Sequence, residues 1–219
     1  MTEALDALAD DAVALVDGRR RAVLGIAGRP GAGKSTLVWE LAGRVAQRCG
    51  PNWVAHVPMD GFHLADAQLD RLGARGRKGA PDTFDATGYA HLLHRVRRES
   101  DAPVYVPGFD RQLEQPLAAA LVVLPEARLV ITEGNYLLLD EPAWAYAREA
   151  MDSVWSVTGA EELRIDRLVA RHVEFGKSPS AARDWVAGSD QANADLVSST
   201  LCAADRLIVN GPDGWYPGG

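Results

Sequence analysis

Apolar and polar positions alternate along the chain in two rhythms. Residues 2–17 place Leu5, Leu8, Ala12 and Leu15 at helical spacing with acids between them, which predicts an amphipathic helix. RAVLGIA (21–27) is a short apolar run with glycine just after it, the pattern of a buried strand. STLVWELAGRVAQR continues as a helix with Leu37, Leu41 and Val45 on one face, and Gly50 and Pro51 stop it. WVAHVP (53–58) is a second strand, and the Gly-rich, basic stretch 73–83 is a loop. Tyr89, Leu92, Leu93 and Val96 mark another helix, and PVYVPGF (103–109) is extended. RLVIT (128–132), ending at Glu133, and SVWSV (153–157) are further buried strands. Thr158 and Glu161 have capping-box spacing and open a helix to about residue 175. Two short helical stretches follow, then a last strand, DRLIVN (205–210), and a tail (211–219) that reads as loosely held. Strands alternating with helices predict a mostly parallel sheet covered on both faces, an α/β fold.

Composition narrows the classes. A chain of 219 residues is read as a single domain, and one of this size buries roughly 70% of its unfolded surface. Its net charge of −7 argues against broad binding to nucleic acid or anionic membranes. No apolar run approaches the roughly 20 residues of a membrane span, and the acidic N-terminus is unlike a targeting peptide. Cys49 and Cys202 have neither a disulfide framework nor metal-ligand spacing, and they read as small buried hydrophobes in a reduced cytoplasm. The expectation is a cytoplasmic protein with no nucleic-acid or membrane partner, and a homodimer stays open.

GRPGAGKS (28–35) matches G-x-x-x-x-G-K-[ST] between an apolar strand and an amphipathic helix. Glycines there let consecutive backbone N–H groups turn toward phosphate oxygens at a helix N-terminus. Gly28, Arg29, Pro30, Gly31, Ala32, Gly33, Lys34, Ser35 and Thr36 are thus the expected ATP-binding residues. Lys34 reaches the β and γ phosphates, and Ser35 places its hydroxyl on Mg²⁺. The chain shows neither the guanine-reading N-K-x-D of a GTPase switch nor the signature of a transporter ATPase. Asp60, in VPMDGFHL, stands where the second strand ends, on the sheet edge that carries the phosphate loop. It is either a base that takes the proton of an acceptor hydroxyl or an N-cap of the helix near Leu64.

Six stretches in order resemble the superfamily of uridine kinase, type I pantothenate kinase and phosphoribulokinase. They are GIAGRPGAGKST, MDGFHL, RKGAPDTFD (77–85), APVYVPGFD (102–110), LVITEGNYLLL (129–139) and RIDRLVARHVEFGKS (164–178). The resemblance implies a P-loop three-layer αβα kinase with a helical lid at about 160–188, using ATP and Mg²⁺. It favours Asp60 as the base, with Lys34, Arg167 and Arg171 as catalytic cations and Lys177 joining them on ATP. Arg164, Arg167 and Arg171 also share one helix face by spacing. Glu133 is placed on Mg²⁺, beside Ser35, or on the substrate.

The expected acceptor-side residues are His63, Lys78, Tyr89, Phe109, Arg111, Glu133 and Asn135, with Arg75, Arg77 and Lys78 as a basic cluster that could read an anion. The resemblance fades at FDRQLEQP around Arg111. The expected activity is transfer of the γ-phosphoryl group to a hydroxyl of a small metabolite. A nucleoside ranks first, then a pantothenate-like compound or sugar. A nucleoside monophosphate kinase and a non-catalytic nucleotide-binding regulator are the alternatives.

Overall fold

The structure, a computed structural model, describes residues 2–218. Helix α1 (Thr2–Ala14) leads into β1 (Ala22–Gly28), every residue of which is buried. Burial on both faces explains why this strand is an unbroken apolar run. Ala22, Leu24 and Ile26 pack into one core with α1 and α2 (Lys34–Cys49), while Val23 and Ala27 pack into a second core on the opposite face. That second core receives α4 (Ala86–Arg98) and α5 (Pro142–Glu149). Each fully buried leucine, such as Leu37, Leu41 or Leu93, contributes about 1.5–3 kcal/mol.

Strands β2 (Val54–Pro58), β5 (Leu129–Gly134), β6 (Ser153–Gly159) and β7 (Arg206–Gly211) run parallel to β1 in the order β2-β5-β1-β6-β7. Strand β8 (Gly214–Pro217) adds to β7 antiparallel. Up to residue 218 the tail is therefore pinned, not loose, and residue 219 lies outside the described residues: Trp215 is buried and its Nε1 donates to Glu40 at 2.7 Å.

A hairpin of β3 (Val104–Asp110) and β4 (Gln115–Val123) forms a separate two-stranded sheet that packs beside β2 and the 3-10 turn Met59–Phe62. Gly61 allows the approach, because a Cβ there would collide with the Pro107 carbonyl. Between that turn and α4 lie α3 (Asp66–Arg71) and two 3-10 turns, Arg75–Arg77 and Pro81–Thr83. Asp85 caps α4 by accepting from the Gly88 N–H at 2.8 Å.

Helix α6 (Glu161–Glu174) has Ala160 at its N-cap and no side-chain cap. The capping box is corrected here: Thr158 lies inside β6, paired with Val209, so its hydroxyl is not at the helix start. Glu161 instead binds Arg29 and Arg164. The two short helical stretches are α7 (Pro179–Trp185) and α8 (Gln191–Ser198), joined by a π-turn, Val186–Asp190. Both cysteines are exposed, a second correction: Cys49 ends α2 and Cys202 sits in a surface turn.

Candidate active site

The carboxyl ends of β1, β2 and β5 open on one cavity of about 470 Å³. Pro30, Gly31, Lys34 and Ser35 form one wall. The first N–H groups of α2 have no partners within the helix and make an anion-binding end. Gly31 has φ 77, and a Cβ there would lie 2.8 Å from the Arg164 carbonyl, so α6 rests directly on the loop. Gly28, Arg29, Ala32, Gly33 and Thr36 complete the loop without lining this cavity. Arg29 pairs with Glu161 at 2.7 Å, and the Ala32 carbonyl accepts from Asn210 at 3.0 Å.

Lys34 Nζ donates to Asn135 Oδ1 at 2.7 Å and to the Arg29 carbonyl at 3.1 Å. Burial pulls its pKa down to about 8, against the opposing pull of Glu133 and Asp60. Ser35 Oγ donates to Glu133 Oε1 at 3.2 Å. Burial, then the Asp60 charge, raises the Glu133 pKa. Among the described residues no group of three or more His, Cys, Asp or Glu forms a metal cage. The hydroxyl–carboxylate pair offers two hard oxygen donors, the number that suits an ion sharing its shell with phosphates and water.

Asp60 sits in the 3-10 turn after β2 and lines the cavity. It does not cap a helix, since Ala65 is the N-cap of α3. Arg111, from the β3–β4 turn, grips Asp60 Oδ2. Among the described residues Oδ1 accepts no hydrogen bond, with His63 Nδ1 4.0 Å away. Burial alone would raise the Asp60 pKa, but Arg111, His63, Arg171 and Lys34 together hold it below the ordinary carboxylate value. Burial lowers the His63 pKa. The His63 ring is wedged between Phe84, 4.0 Å away, and Phe109, 4.8 Å away.

Helix α6 contributes Arg171, which lines the cavity and pairs with no carboxylate among the described residues. Burial, then Arg111, lowers its pKa. Lys177, in the joint before α7, also lines the cavity and lies 4.7 Å from the Trp185 ring centre. Arg167 does not join them: it is exposed and off the cavity, because two of the three spaced positions turn inward and the third faces solvent. Arg164 is buried at 2% exposure and ties Glu161, the Pro30 carbonyl and Gln191 together.

Tyr89 is also corrected. It is on the buried face of α4, fully enclosed in the core with its hydroxyl on Thr132 Oγ1 at 2.5 Å, and does not line the cavity. Of the basic cluster, Arg77 pairs with Asp82 away from the cavity. Arg75 and Lys78 line it, but Arg75 pairs with Asp66 and Asp70, and Lys78 with Asp66. Phe84, Asp66, Glu114, Asp190 and Trp185 line the cavity without having been singled out in the sequence. Of these, Asp190 holds His172 Nε2 at 2.8 Å. A lone Asp in a helical stretch carries no signal of such pairing.

A parallel sheet with a phosphate loop at its centre, a carboxylate on the next strand end and cations on an overlying helix define a P-loop phosphotransferase. No protein-family model matches the chain. It is 34% identical over 209 residues to the "putative uridine kinase" of Schizosaccharomyces pombe, covering 93% of this chain and 89% of that one. It is 34% identical over 208 residues to the Escherichia coli protein YggC, covering 94% and 84%. A solved "putative fructose transport system kinase" from Silicibacter sp. TM1040 superposes with a TM-score of 0.83 at 37% identity, covering 94% of this chain and 98% of that one. The chain belongs to the P-loop small-molecule kinases of the uridine kinase superfamily, ATP-dependent phosphotransferases with an alcohol group as acceptor. No helix among the described residues is long and apolar enough to cross a membrane.

Proposed function

We propose that this kinase phosphorylates a hydroxyl of an uncharged small metabolite, with a nucleoside ranked first and a sugar next. The observation that carries the reading is Asp60, which lines the cavity of Lys34 and Ser35 with Oδ2 clamped and Oδ1 open. An ionised carboxylate with one open oxygen can accept the acceptor hydroxyl's proton as the hydroxyl oxygen attacks the γ-phosphorus and the bond from that phosphorus to the departing ADP breaks. The loop N–H groups and Lys34 hold the β and γ phosphates. Arg171 and Lys177 offset the charge that develops on the transferred group, and α6 with α7 acts as the lid that excludes water. Ser35 and Glu133 would hold Mg²⁺, which when bound neutralises phosphate charge.

Charge pairing supports a neutral acceptor. Arg75, Lys78 and Arg111, the cavity cations on the acceptor side, are each matched to a carboxylate. A monophosphate or carboxylate would have to break one of those pairs. The names of two relatives point the same way, one to a nucleoside and one to a sugar.

An ADP-release screen over nucleosides, sugars, pantothenate and nucleoside monophosphates tests this reading. Stimulation by nucleosides or sugars is expected. Stimulation by monophosphates or pantothenate alone would overturn the neutral acceptor, and stimulation by none would count against the catalytic reading. The lid cations are tested separately: Arg171→Met lowers kcat by roughly 10²-fold or more, whereas Arg167→Ala stays within about twofold of the parent. Equal losses in both variants would remove Arg171 from its special place.

A further inference from the structure

Lys78 lines the cavity, yet its ammonium is spent on the protein itself. Nζ donates to Asp66 Oδ1 at 2.7 Å and to the backbone carbonyl of Glu114. The Asp66 N–H donates to Gln115 Oε1 at 3.1 Å, and the Asp66 carboxylate also pairs with Arg75 at 2.8 Å. These bonds clasp the foot of the β3–β4 turn to the segment that begins α3. The clasp closes where the backbone needs holding, since Glu114 has φ 52, a left-handed conformation that non-glycine residues seldom adopt. At the head of the same turn, Asp110 Oδ1 accepts from the N–H groups of Gln112 and Leu113 at 2.8 and 3.0 Å. Between head and foot lies Arg111, stacked over the Phe109 ring at 4.7 Å with its guanidinium on Asp60. Lys78 lies 5.6 Å from the centre of that ring.

We infer that Lys78 is a positioning residue: by gripping Glu114 it sets the β3–β4 turn so that Arg111 clamps Asp60 Oδ2 and leaves Oδ1 for the acceptor hydroxyl. The inference rests on the reading of Asp60 as the base. Lys78 acts through Arg111 and does not read the acceptor. The clasp and the clamp come from separated stretches of chain, so neither is held by local backbone alone. A misplacement of the carboxylate on the scale of 1 Å is enough to slow transfer severely.

The test uses the full chain and has one readout that needs no turnover. The guanidinium ¹H–¹⁵N signals of Arg111, assigned by their loss in Arg111→Met, report whether its rotation is restrained. Restrained signals are expected in the parent and in Lys78→Arg, and averaged ones in Lys78→Met. Parent-like signals in Lys78→Met would overturn the inference. With ATP, Mg²⁺ and uridine or fructose, whichever is turned over, Lys78→Met should lower kcat about tenfold or more with acceptor KM nearly unchanged. Lys78→Arg should restore most of it. In an Arg111→Met background, Lys78→Met should add nothing, since the two act in series. A rise in acceptor KM at constant kcat would make Lys78 a reader of the acceptor, and fully additive losses would make it independent of Arg111; either result overturns the inference. If thermal melting shows that Lys78→Met does not fold, Gln115→Ala opens the same clasp and is held to the same outcomes. Asp60→Asn run alongside separates the two failures: parent-like turnover there sinks the base assignment, while the Arg111 signals still judge the clasp.

Discussion

Asp60→Asn keeps ATP binding and loses roughly 10²-fold or more in kcat, the usual worth of a positioned base. The amide has the shape of the carboxylate and can still meet Arg111 through its oxygen, so the turn Met59–Phe62 should keep its place. What it cannot do is accept a proton at neutral pH. ATP is gripped elsewhere, by the loop wall of Pro30, Gly31, Lys34 and Ser35, so calorimetric titration should give a Kd close to that of the parent. The pH behaviour of the parent follows from the cations around the carboxylate. Its pKa is held below the ordinary value, so the pairing stabilises the fold above the unfolded carboxylate pKa and is lost as pH falls through the folded one. Asp60→Asn should flatten that acid limb in an unfolding series. Turnover equal to the parent would take Asp60 out of the mechanism and leave the phosphate loop as a grip without a base.

The phosphate loop and the strands around it were readable because their signals are local. β1, β5 and β6 are apolar runs buried on both faces, and α2 starts where the glycines end. β4 went unread for a physical reason. QPLAAALVV lacks strict alternation, much of it is exposed, and Ala119 with φ 55 breaks its rhythm. It is a strand because β3 pairs with it. α5 is eight residues long and carries too few turns for its period to show. β8 depends on β7 beside it and on the burial of Trp215.

The site divides in the same way. Lys34, Ser35, Asp60 and Glu133 each follow a strand end or a motif, and the fold brings all four to one cavity. Arg111 was legible as a charge near the acceptor, but its partner stands 51 residues away, and no spacing rule joins them. Tyr89 misled because an aromatic on an amphipathic helix looks the same whether it faces a pocket or a core. Arg167 misled because helical spacing puts it near Arg164 and Arg171, while only packing decides which of them turn inward.

Lys34→Met should lower kcat/KM by roughly 10²- to 10³-fold, the scale for removing one preorganised donor from a developing charge. The methionine fills similar space and carries no charge, so packing at the foot of α2 changes little. The stability of the same variant should move with pH in a way that only a buried ammonium explains. The lysine pKa falls from 10.5 to about 8 in the fold, chiefly through burial. The folded state therefore binds that proton less tightly than the unfolded chain. Below about pH 8 the parent carries the whole cost of the buried charge, on the order of 3 kcal/mol. From about pH 8 upward the folded protein releases the proton while the unfolded chain still binds it, and the cost shrinks until the unfolded chain releases it too, near 10.5. Stability of the parent relative to Lys34→Met should therefore rise across that window and be flat below it, as read from urea midpoints. Loss of the donor to Asn135 Oδ1 and the Arg29 carbonyl shifts the whole curve against the variant without altering its shape. A flat difference from pH 7 to 10.5 would mean that the ammonium is solvated in the free enzyme. With the expected curve, part of the stability of the fold is given up to keep a charge waiting for the phosphates, and ATP should return it by raising the lysine pKa on binding.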